Sequence, residues 1–375
     1  MYVQRSLWSA TAGWETIDPP WGSEPAHLVI YFAGPGVMED GARFAEIRAR
    51  YPAARVVGCT TGGEILGREV HDGVIVLVAL KFAHSTVRVA GESVTGRVDS
   101  FAAGAALGRS LAEGCPRGVF VLSDGTRVNG SELVRGLKSR LPADTLLTGG
   151  LAGDGADFVS TLVGVDAPPQ PGAVIAVGFY GDRLDIRHGS FGGWDPFGPQ
   201  RLITRSDDNI LYELDGEPAL DLYKRYLGEE AERLPGSALL FPLRIKPTHN
   251  GGTEIVRTVV GVDESARAMI FAGDVPKGYT AQLMRGNFEH LIAGAGRAAE
   301  QAVGLGPDAL GILVSCIGRK LLLGQRVVEE VETVAEVMRC PTIGFYSYGE
   351  ISPQEFKGSC ELHNQTMTIT TIGER

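Results

Sequence analysis

Three times along the chain, an apolar run ends in glycine or turn residues and is followed by a helical pattern and a second apolar run. Strands that alternate with helices in this way are typical of β–α–β units around a parallel sheet. The predicted strand, helix and strand lie at residues 27–34, 40–51 and 55–58, at 118–125, 131–140 and 145–150, and at 309–318, 327–338 and 341–344. The sequence therefore predicts an α/β protein.

The turn that ends the first unit is echoed in the third. Segments 56–65 and 342–351 align without gaps and share two glycines, a glutamate and an isoleucine at equal spacing. Such self-similarity indicates internal duplication. Together with meander-like apolar runs at 73–82 and 173–180, it predicts two lobes built from duplicated β–α–β units, with mixed sheets and additional meander strands. A change of pattern near residue 215 marks the predicted lobe boundary.

Composition limits the classes of function. The chain has 35 Lys and Arg against 45 Asp and Glu, a net charge of −10, and no basic cluster, so we expect no nucleic-acid partner. No apolar run approaches the ~18 residues that span a bilayer, and no signal peptide opens the chain. We expect a cytoplasmic protein without membrane insertion. Five cysteines with no CxxC pair fit reduced thiols.

The two echoed turns are the strongest candidates for a ligand site. Glycines at both ends of a loop let the backbone approach a bound molecule, glutamates can fix a cationic or hydroxyl-bearing ligand, and hydroxyl groups add directional hydrogen bonds. The candidate ligand-binding residues are Cys59, Thr60, Thr61, Gly62, Gly63 and Glu64 in the first turn and Tyr346, Ser347, Tyr348, Gly349 and Glu350 in the second. The alternative is a pair of structural turns, each with a glutamate that caps a helix or pairs with an arginine.

A third polar loop, residues 124–130, follows the first strand of the second unit. Because open α/β sheets bind ligands at the carboxyl ends of their strands, Asp124 and Asn129 are further candidates for ligand binding. The pattern favours a simpler alternative, a turn followed by a helix with Asn129 or Ser131 as its N-cap.

The sequence gives weak support for catalysis. An enzyme that uses Cys59, or Glu64 with Glu350, is an alternative function, but no base can be assigned beside Cys59. The seven histidines are dispersed without paired metal-ligand spacing, so no metal site is assigned. A single histidine can nevertheless ligate a haem iron.

Four separated segments, in this order, resemble the FIST family. They are VGCTTGGEI at 57–65, GGLAGD at 149–154, LYELDGEPALDLY at 211–223 and GFYSYGEI at 344–351. The resemblance implies a FIST N-terminal domain at 24–215, a FIST C domain at 216–356, and a C-terminal strand and tail at 357–375 that packs on the C domain. It also adds Gly150 and Asp154 to the candidate ligand-binding residues.

This resemblance implies a sensory domain for small ligands, amino-acid-like molecules among them, of a kind often linked to histidine kinases, cyclic-di-nucleotide enzymes or chemotaxis transducers. Because the sequence ends at Arg375 without an output module, we expect signalling in trans to such a partner, as in a two-component system. We expect the ligand to lie between the echoed turns of two related lobes. A haem-dependent, nitric-oxide-sensing branch of similar proteins is the alternative, with His188 or His249 as axial ligand; no other cofactor is expected.

Overall fold

Two lobes make up the protein, which is described by a computed structural model over residues 1–22, 24–248, 254–353 and 360–375. The larger lobe contains three six-stranded mixed sheets, and the smaller contains one eight-stranded sheet. The predicted α/β fold in two lobes is therefore confirmed. None of the described helices combines the length and apolar character that crossing a bilayer requires.

The first part of the chain forms the first predicted β–α–β unit and its flanking strands. Its elements are β1 (Tyr2–Ser9), β2 (Gly13–Thr16), β3 (Leu28–Ala33), α1 (Ala42–Arg50), β4 (Arg55–Thr60), β5 (Glu64–Leu66), β6 (Glu69–His71) and β7 (Ile75–Lys81). β3 pairs in parallel with β4 and antiparallel with β7. β3 is continuously apolar because all six of its residues are buried.

The second unit follows directly. Its elements are β8 (Thr86–Ser93), α2 (Ser100–Ala112), β9 (Gly118–Ser123), α3 (Gly130–Lys138), β10 (Leu146–Leu151), β11 (Val163–Val165) and β12 (Ala173–Tyr180). Glycines let α2 and α3 pack closely, since a Cβ atom at Gly104 would lie 2.3 Å from the Leu133 carbonyl oxygen.

The third unit is interrupted by the smaller lobe. Strand β13 (Leu184–Phe191) belongs to the larger lobe and precedes the smaller lobe along the chain. The smaller lobe contains β14 (Asp195–Asp207), β15 (Ile210–Leu214), β16 (Glu217–Pro218), α4 (Ala219–Leu227), β17 (Leu243–Lys246), β18 (Ile255–Arg257), β19 (Val259–Asp263), β20 (Ala268–Phe271) and β21 (Thr280–Arg285). The third unit then continues with α5 (Phe288–Ala302), β22 (Leu310–Cys316), α6 (Ile317–Leu323), α7 (Val327–Met338), β23 (Thr342–Ser347), β24 (Gly349–Pro353), β25 (Cys360–His363) and β26 (Met367–Glu374).

The three sheets of the larger lobe share one strand order. Each has a pair of parallel strands, then an antiparallel strand, then an outer strand: β4-β3-β7-β1, β10-β9-β12-β8 and β23-β22-β26-β13. The larger lobe is thus an approximate three-fold repeat of the unit that the sequence indicates.

Each unit also gives its next strand to another unit. β5 pairs with β23, β24 pairs with β10, and β11 pairs with β4. The exchange is cyclic, so the first unit extends the third, the third extends the second, and the second extends the first. One hydrophobic cluster accordingly contains residues as distant as Leu28 and Ile372.

Candidate functional site

The strand exchange brings the two echoed turns together inside the larger lobe, rather than facing each other across two lobes. A ring of three backbone hydrogen bonds joins them to the turn after β10. In this ring Gly62 N donates to Tyr346 O at 2.7 Å, Tyr348 N to Leu151 O at 3.1 Å, and Gly153 N to Thr60 O at 3.0 Å. We name segments 60–62, 151–153 and 346–348 the central ring. It is the point at which all three units meet.

Glu64 follows the central ring in the first turn and is fully buried. Its carboxylate accepts hydrogen bonds from the Thr61 hydroxyl and, at 3.2 Å, from Val74 N. Burial, opposed in part by these hydrogen bonds, raises the pKa of Glu64 to about 7. A substantial fraction of Glu64 is therefore protonated near neutral pH.

Glu350 has the equivalent position in the third unit and is also fully buried. It accepts a hydrogen bond from the Ser347 hydroxyl at 2.6 Å, and from the amide and hydroxyl of Thr366 at 3.2 and 3.0 Å. Burial raises the pKa of Glu350 to about 8. In both turns the hydroxyl that contacts the glutamate lies three residues before it. Neither glutamate forms a salt bridge within the parts of the chain that the structure describes.

The turn after β10 is the third member of the set, but it lacks these groups. The strand register shows which positions are equivalent: Gly149 of β10 pairs with Ile351 of β24, just as Gly344 of β23 pairs with Ile65 of β5. By this register, Ala152 occupies the position of the hydroxyl residues Thr61 and Ser347. Gly155 occupies the position of the two glutamates, Glu64 and Glu350. The third turn therefore has the backbone of the other two without their polar chemistry.

Asp154 and Tyr348 instead fix the third turn. Asp154 accepts hydrogen bonds from the amides of Phe158, Val159 and Ser160 at 2.7 to 2.9 Å, and from the Tyr348 hydroxyl. The Tyr348 ring stacks on Phe158 with centroids 4.2 Å apart. These contacts order the loop that leads from β10 to β11.

Asp124 and Asn129 have structural contacts of a similar kind. Asp124 accepts hydrogen bonds from Thr126 N and Arg127 N at 2.7 and 2.9 Å and from Gly172 N at 2.6 Å. Asn129 caps α3. Asp124 lies beside the central ring, since a Cβ atom at the adjacent Gly125 would be 2.1 Å from the Ala152 carbonyl oxygen. Asn129 instead donates to Asp274 of the smaller lobe at 3.0 Å.

The remaining candidates complete a closed centre. Cys59, Thr60, Gly62, Gly63, Gly150, Tyr346 and Gly349 are all buried, like the other candidate residues. Burial raises the pKa of the Cys59 thiol well above its ordinary value, and Glu64 raises it further. A thiol held protonated in this way is a weak nucleophile. The geometry thus gives the enzyme alternative no activated group at Cys59.

Lys320 covers the first turn from outside, and the sequence reasoning missed it. Its ammonium donates to the Gly62 carbonyl oxygen at 2.8 Å, lies 5.5 Å from the centroid of the Tyr346 ring, and pairs with Asp72. The Lys320 side chain is 15% exposed and that of Asp72 is 75% exposed. This ion pair packs on the first turn, since a Cβ atom at Gly63 would lie 3.2 Å from Asp72 Oδ1.

A buried arginine next to Lys320 was also missed. Arg319 is fully buried; its Nε donates to Glu330 at 3.1 Å and its Nη2 to the Leu291 carbonyl oxygen at 2.8 Å. Among the described residues, Glu330 Oε2 and the Tyr346 hydroxyl are buried without a hydrogen-bond partner. The only sequence signal is a charged pair in the apolar segment IGRKLLL directly after a strand.

Of the two proposed haem ligands, His188 lies within the described residues and His249 does not. His188 lies in β13 beside a cavity of about 290 Å³, which Lys138, Leu147 and Cys360 also line. This volume is at the lower limit of the ~300–1,000 Å³ that small-molecule pockets usually measure, and His188 is the one histidine among the residues that line the cavity. The cavity as it stands therefore does not fit a haem. His249 lies outside the described residues. The haem alternative stays a prediction, and the described residues contain no cluster of His, Cys, Asp and Glu suited to a metal ion.

Comparison with known families decides the identity of the fold. A model of the FIST N domain matches residues 27–217, and a model of the FIST C domain matches residues 219–353. The chain belongs to the FIST family. FIST domains are sensory domains that bind small ligands in signal transduction. A search of curated proteins gave no significant match.

In FIST terms, the N-domain match contains the first two units together with β13, whereas the C-domain match contains most of the smaller lobe and then β22, β23 and β24. The central ring draws on both matches. The matches do not distinguish a haem-dependent branch of the family from the rest.

Proposed function

We propose that this FIST protein is a cytoplasmic sensor that binds a small ligand at the central ring and signals in trans to a histidine kinase or a cyclic-di-nucleotide enzyme. The observation that carries the proposal is the pair of equivalent glutamates, Glu64 and Glu350. Both are fully buried, both have a raised pKa, and both adjoin the junction of all three units. Buried carboxylates with strongly raised pKa values concentrate at functional sites.

The surroundings of Glu64 favour a ligand that carries an ammonium group. The Lys320 ammonium already contacts the Gly62 carbonyl oxygen and the face of Tyr346, and it lowers the pKa of the nearby Glu64. In the proposal, the ammonium of an amino-acid-like ligand takes the place of the Lys320 ammonium. Displacement of Lys320 breaks its ion pair with Asp72 and opens the first turn. Because Gly62 of this turn donates a hydrogen bond to Tyr346 in the central ring, the movement of the turn is transmitted to the other two units.

The proposal is tested by calorimetry after a thermal-shift screen of the proteinogenic L-amino acids. The ammonium of the ligand would stabilise the ionised form of each carboxyl, which glutamine cannot adopt. Glu64→Gln and Glu350→Gln are therefore expected to weaken binding roughly tenfold or more, because each prevents a charge-assisted contact worth ~1.5–3 kcal/mol. Lys320→Met is expected to keep or tighten binding because it removes the competing ammonium. Glu15→Gln, at an exposed position of strand β2, is the matched control.

Equal affinity in the wild type and in both glutamine variants would contradict the proposed site. A visible absorption spectrum of the freshly purified protein tests the haem alternative in the same preparation. Autophosphorylation of a purified candidate kinase, measured with and without the protein and its ligand, tests signalling in trans.

A further inference from the structure

β8 is an unusually long open edge. Within the described residues it ends its sheet, pairs only with β12, and has eight residues, whereas the outer strands β2, β6, β11 and β25 have three or four. No backbone hydrogen bond other than its ladder with β12 is made by residues 86–93 within the described chain. Such an edge offers a row of free donors and acceptors that another strand can pair with.

The other eight-residue outer strand, β13, is more protected. Ser190 N donates to the Gln301 side chain at 3.0 Å. The Ile186 side chain also packs closely on β9, because a Cβ atom at Gly118 would be 2.6 Å from it. β8 lacks proline and contains the β-branched residues Thr86, Val87 and Val89, which favour pairing. β8 is therefore the edge best suited to accept a strand.

The helix beside this edge also exposes apolar surface. Val98, in the turn before α2, is 93% exposed, and Phe101 in its first turn is 44% exposed. α2 packs over β8, and Arg88 Nη1 donates to the carbonyl oxygen of Glu113 at the end of α2. α2 therefore covers one face of β8, whereas Phe101 lies on the stripe of α2 that faces α3, together with Gly104 and Gly108.

The sequence of β8 complements itself in an antiparallel arrangement. If two copies pair about Ala90, then Arg88 of each copy lies opposite Glu92 of the other. Side chains alternate along a strand, so Arg88, Ala90 and Glu92 share one face. Ala90 packs on the cluster that contains Leu107 and Leu111 of α2, so this face is the one that α2 covers. Opposite charges placed directly across a strand pair stabilise it.

We propose that the β8 edge forms a self-association surface, and that its occupant is a second copy of this chain. The two β8 strands would join two six-stranded sheets about a two-fold axis through Ala90. The interface would be the same patch on both copies, as in most symmetric dimers. The Arg88 side chain is 49% exposed and forms a surface ion pair with Glu113 at 3.7 Å, which it would exchange for Glu92 of the partner copy.

The test is sedimentation velocity on the full chain over a range of concentrations. The wild type is expected to be a dimer. Arg88→Glu and Glu92→Arg each place like charges opposite one another at two symmetric positions, and each is expected to weaken dimerisation roughly tenfold or more. The double variant with both reversals restores opposite charges and is expected to regain the dimer. Arg225→Glu, a reversal on α4 of the smaller lobe that also breaks a surface ion pair, with Glu217, is the matched control.

Circular dichroism and thermal unfolding confirm that each variant is folded. Three outcomes would overturn the proposal: a monomeric wild type at every concentration, a dimer that neither single reversal weakens, or folded single variants whose double variant stays monomeric. Restored dimerisation in the double variant separates this surface from dimerisation elsewhere, because a generic loss of stability would not be rescued by a second charge reversal.

Discussion

Glu350 makes the stability of this protein depend on pH in a predictable direction. Its pKa in the folded protein is about 8, against an ordinary value of 4.5. At pH values between these two, the folded state keeps a proton that the unfolded chain has lost. The contribution of this group to the free energy of unfolding is therefore complete below about pH 4.5 and is lost as the pH rises to about 8.

The magnitude follows from the same two values. Each unit by which the pH rises in this window lowers the free energy of unfolding by about 1.4 kcal/mol. Over the whole window the loss is on the order of 5 kcal/mol. Glu350→Gln mimics the protonated acid, because its amide can donate to the Ser347 hydroxyl while its oxygen still accepts from Thr366. The difference in unfolding free energy between this variant and the wild type should thus grow with pH and level off above about pH 8.

The assay is urea unfolding of the wild type and of Glu350→Gln at intervals from about pH 5 to pH 9, with Glu15→Gln as an exposed control. Taking the difference removes the other titrating groups, including Glu64, from the comparison. The free energy of unfolding of the control should change with pH as that of the wild type does. If that of Glu350→Gln also follows the wild type at every pH, Glu350 keeps no extra proton in the folded protein, and the argument from burial is wrong.

Three further changes test other parts of the larger lobe. Arg319→Met leaves Glu330 as an uncompensated buried charge and should lower the free energy of unfolding by ~3–5 kcal/mol; urea midpoints equal to those of the wild type would refute this. Gly344→Ala places a Cβ atom 2.1 Å from the Leu313 carbonyl oxygen, whereas the Cβ atom of Gly36→Ala meets no described atom within 4 Å; of the two, the first should abolish soluble expression. Cys115 is the one exposed thiol among the five cysteines, so a thiol reagent should modify one group quickly in the native protein and all five after denaturation.

The sequence predicted local structure more completely than the assembly. The predicted helix at 327–338 coincides with α7, because it is a strongly periodic segment with clear ends. The echo between the first and third units was visible because the hydroxyl and glutamate positions are filled in both. The second unit has Ala152 and Gly155 at those positions, so its membership in the set is apparent only from strand register. The exchange itself depends on β5, which has three residues and gives almost no sequence signal.

The site was predicted in part for the same reason. Glu64 and Glu350 were identified because their turns repeat, and the structure brings those turns together at the central ring. Arg319 and Lys320 were missed because a charged residue within an apolar helix usually faces solvent, and only the fold shows Arg319 fully buried. That the turns meet in one lobe also lay beyond sequence reasoning, since it follows from the cyclic exchange of strands.

The exchange further predicts that the two FIST matches do not correspond to independently folding parts. A fragment of residues 1–217 contains β10 without its partner β24, and it contains β5 and β13 without β23 and β26, the strands that they pair with. These strands would then have unpaired edges and exposed apolar faces, which promote aggregation. We expect this fragment, and the complementary fragment 218–375, to be insoluble or unfolded when expressed alone and to form a soluble 1:1 complex when expressed together. Size-exclusion chromatography with circular dichroism provides the measurement. A fragment 1–217 that is monomeric and unfolds cooperatively on its own would show that the larger lobe does not depend on the exchanged strands for its stability.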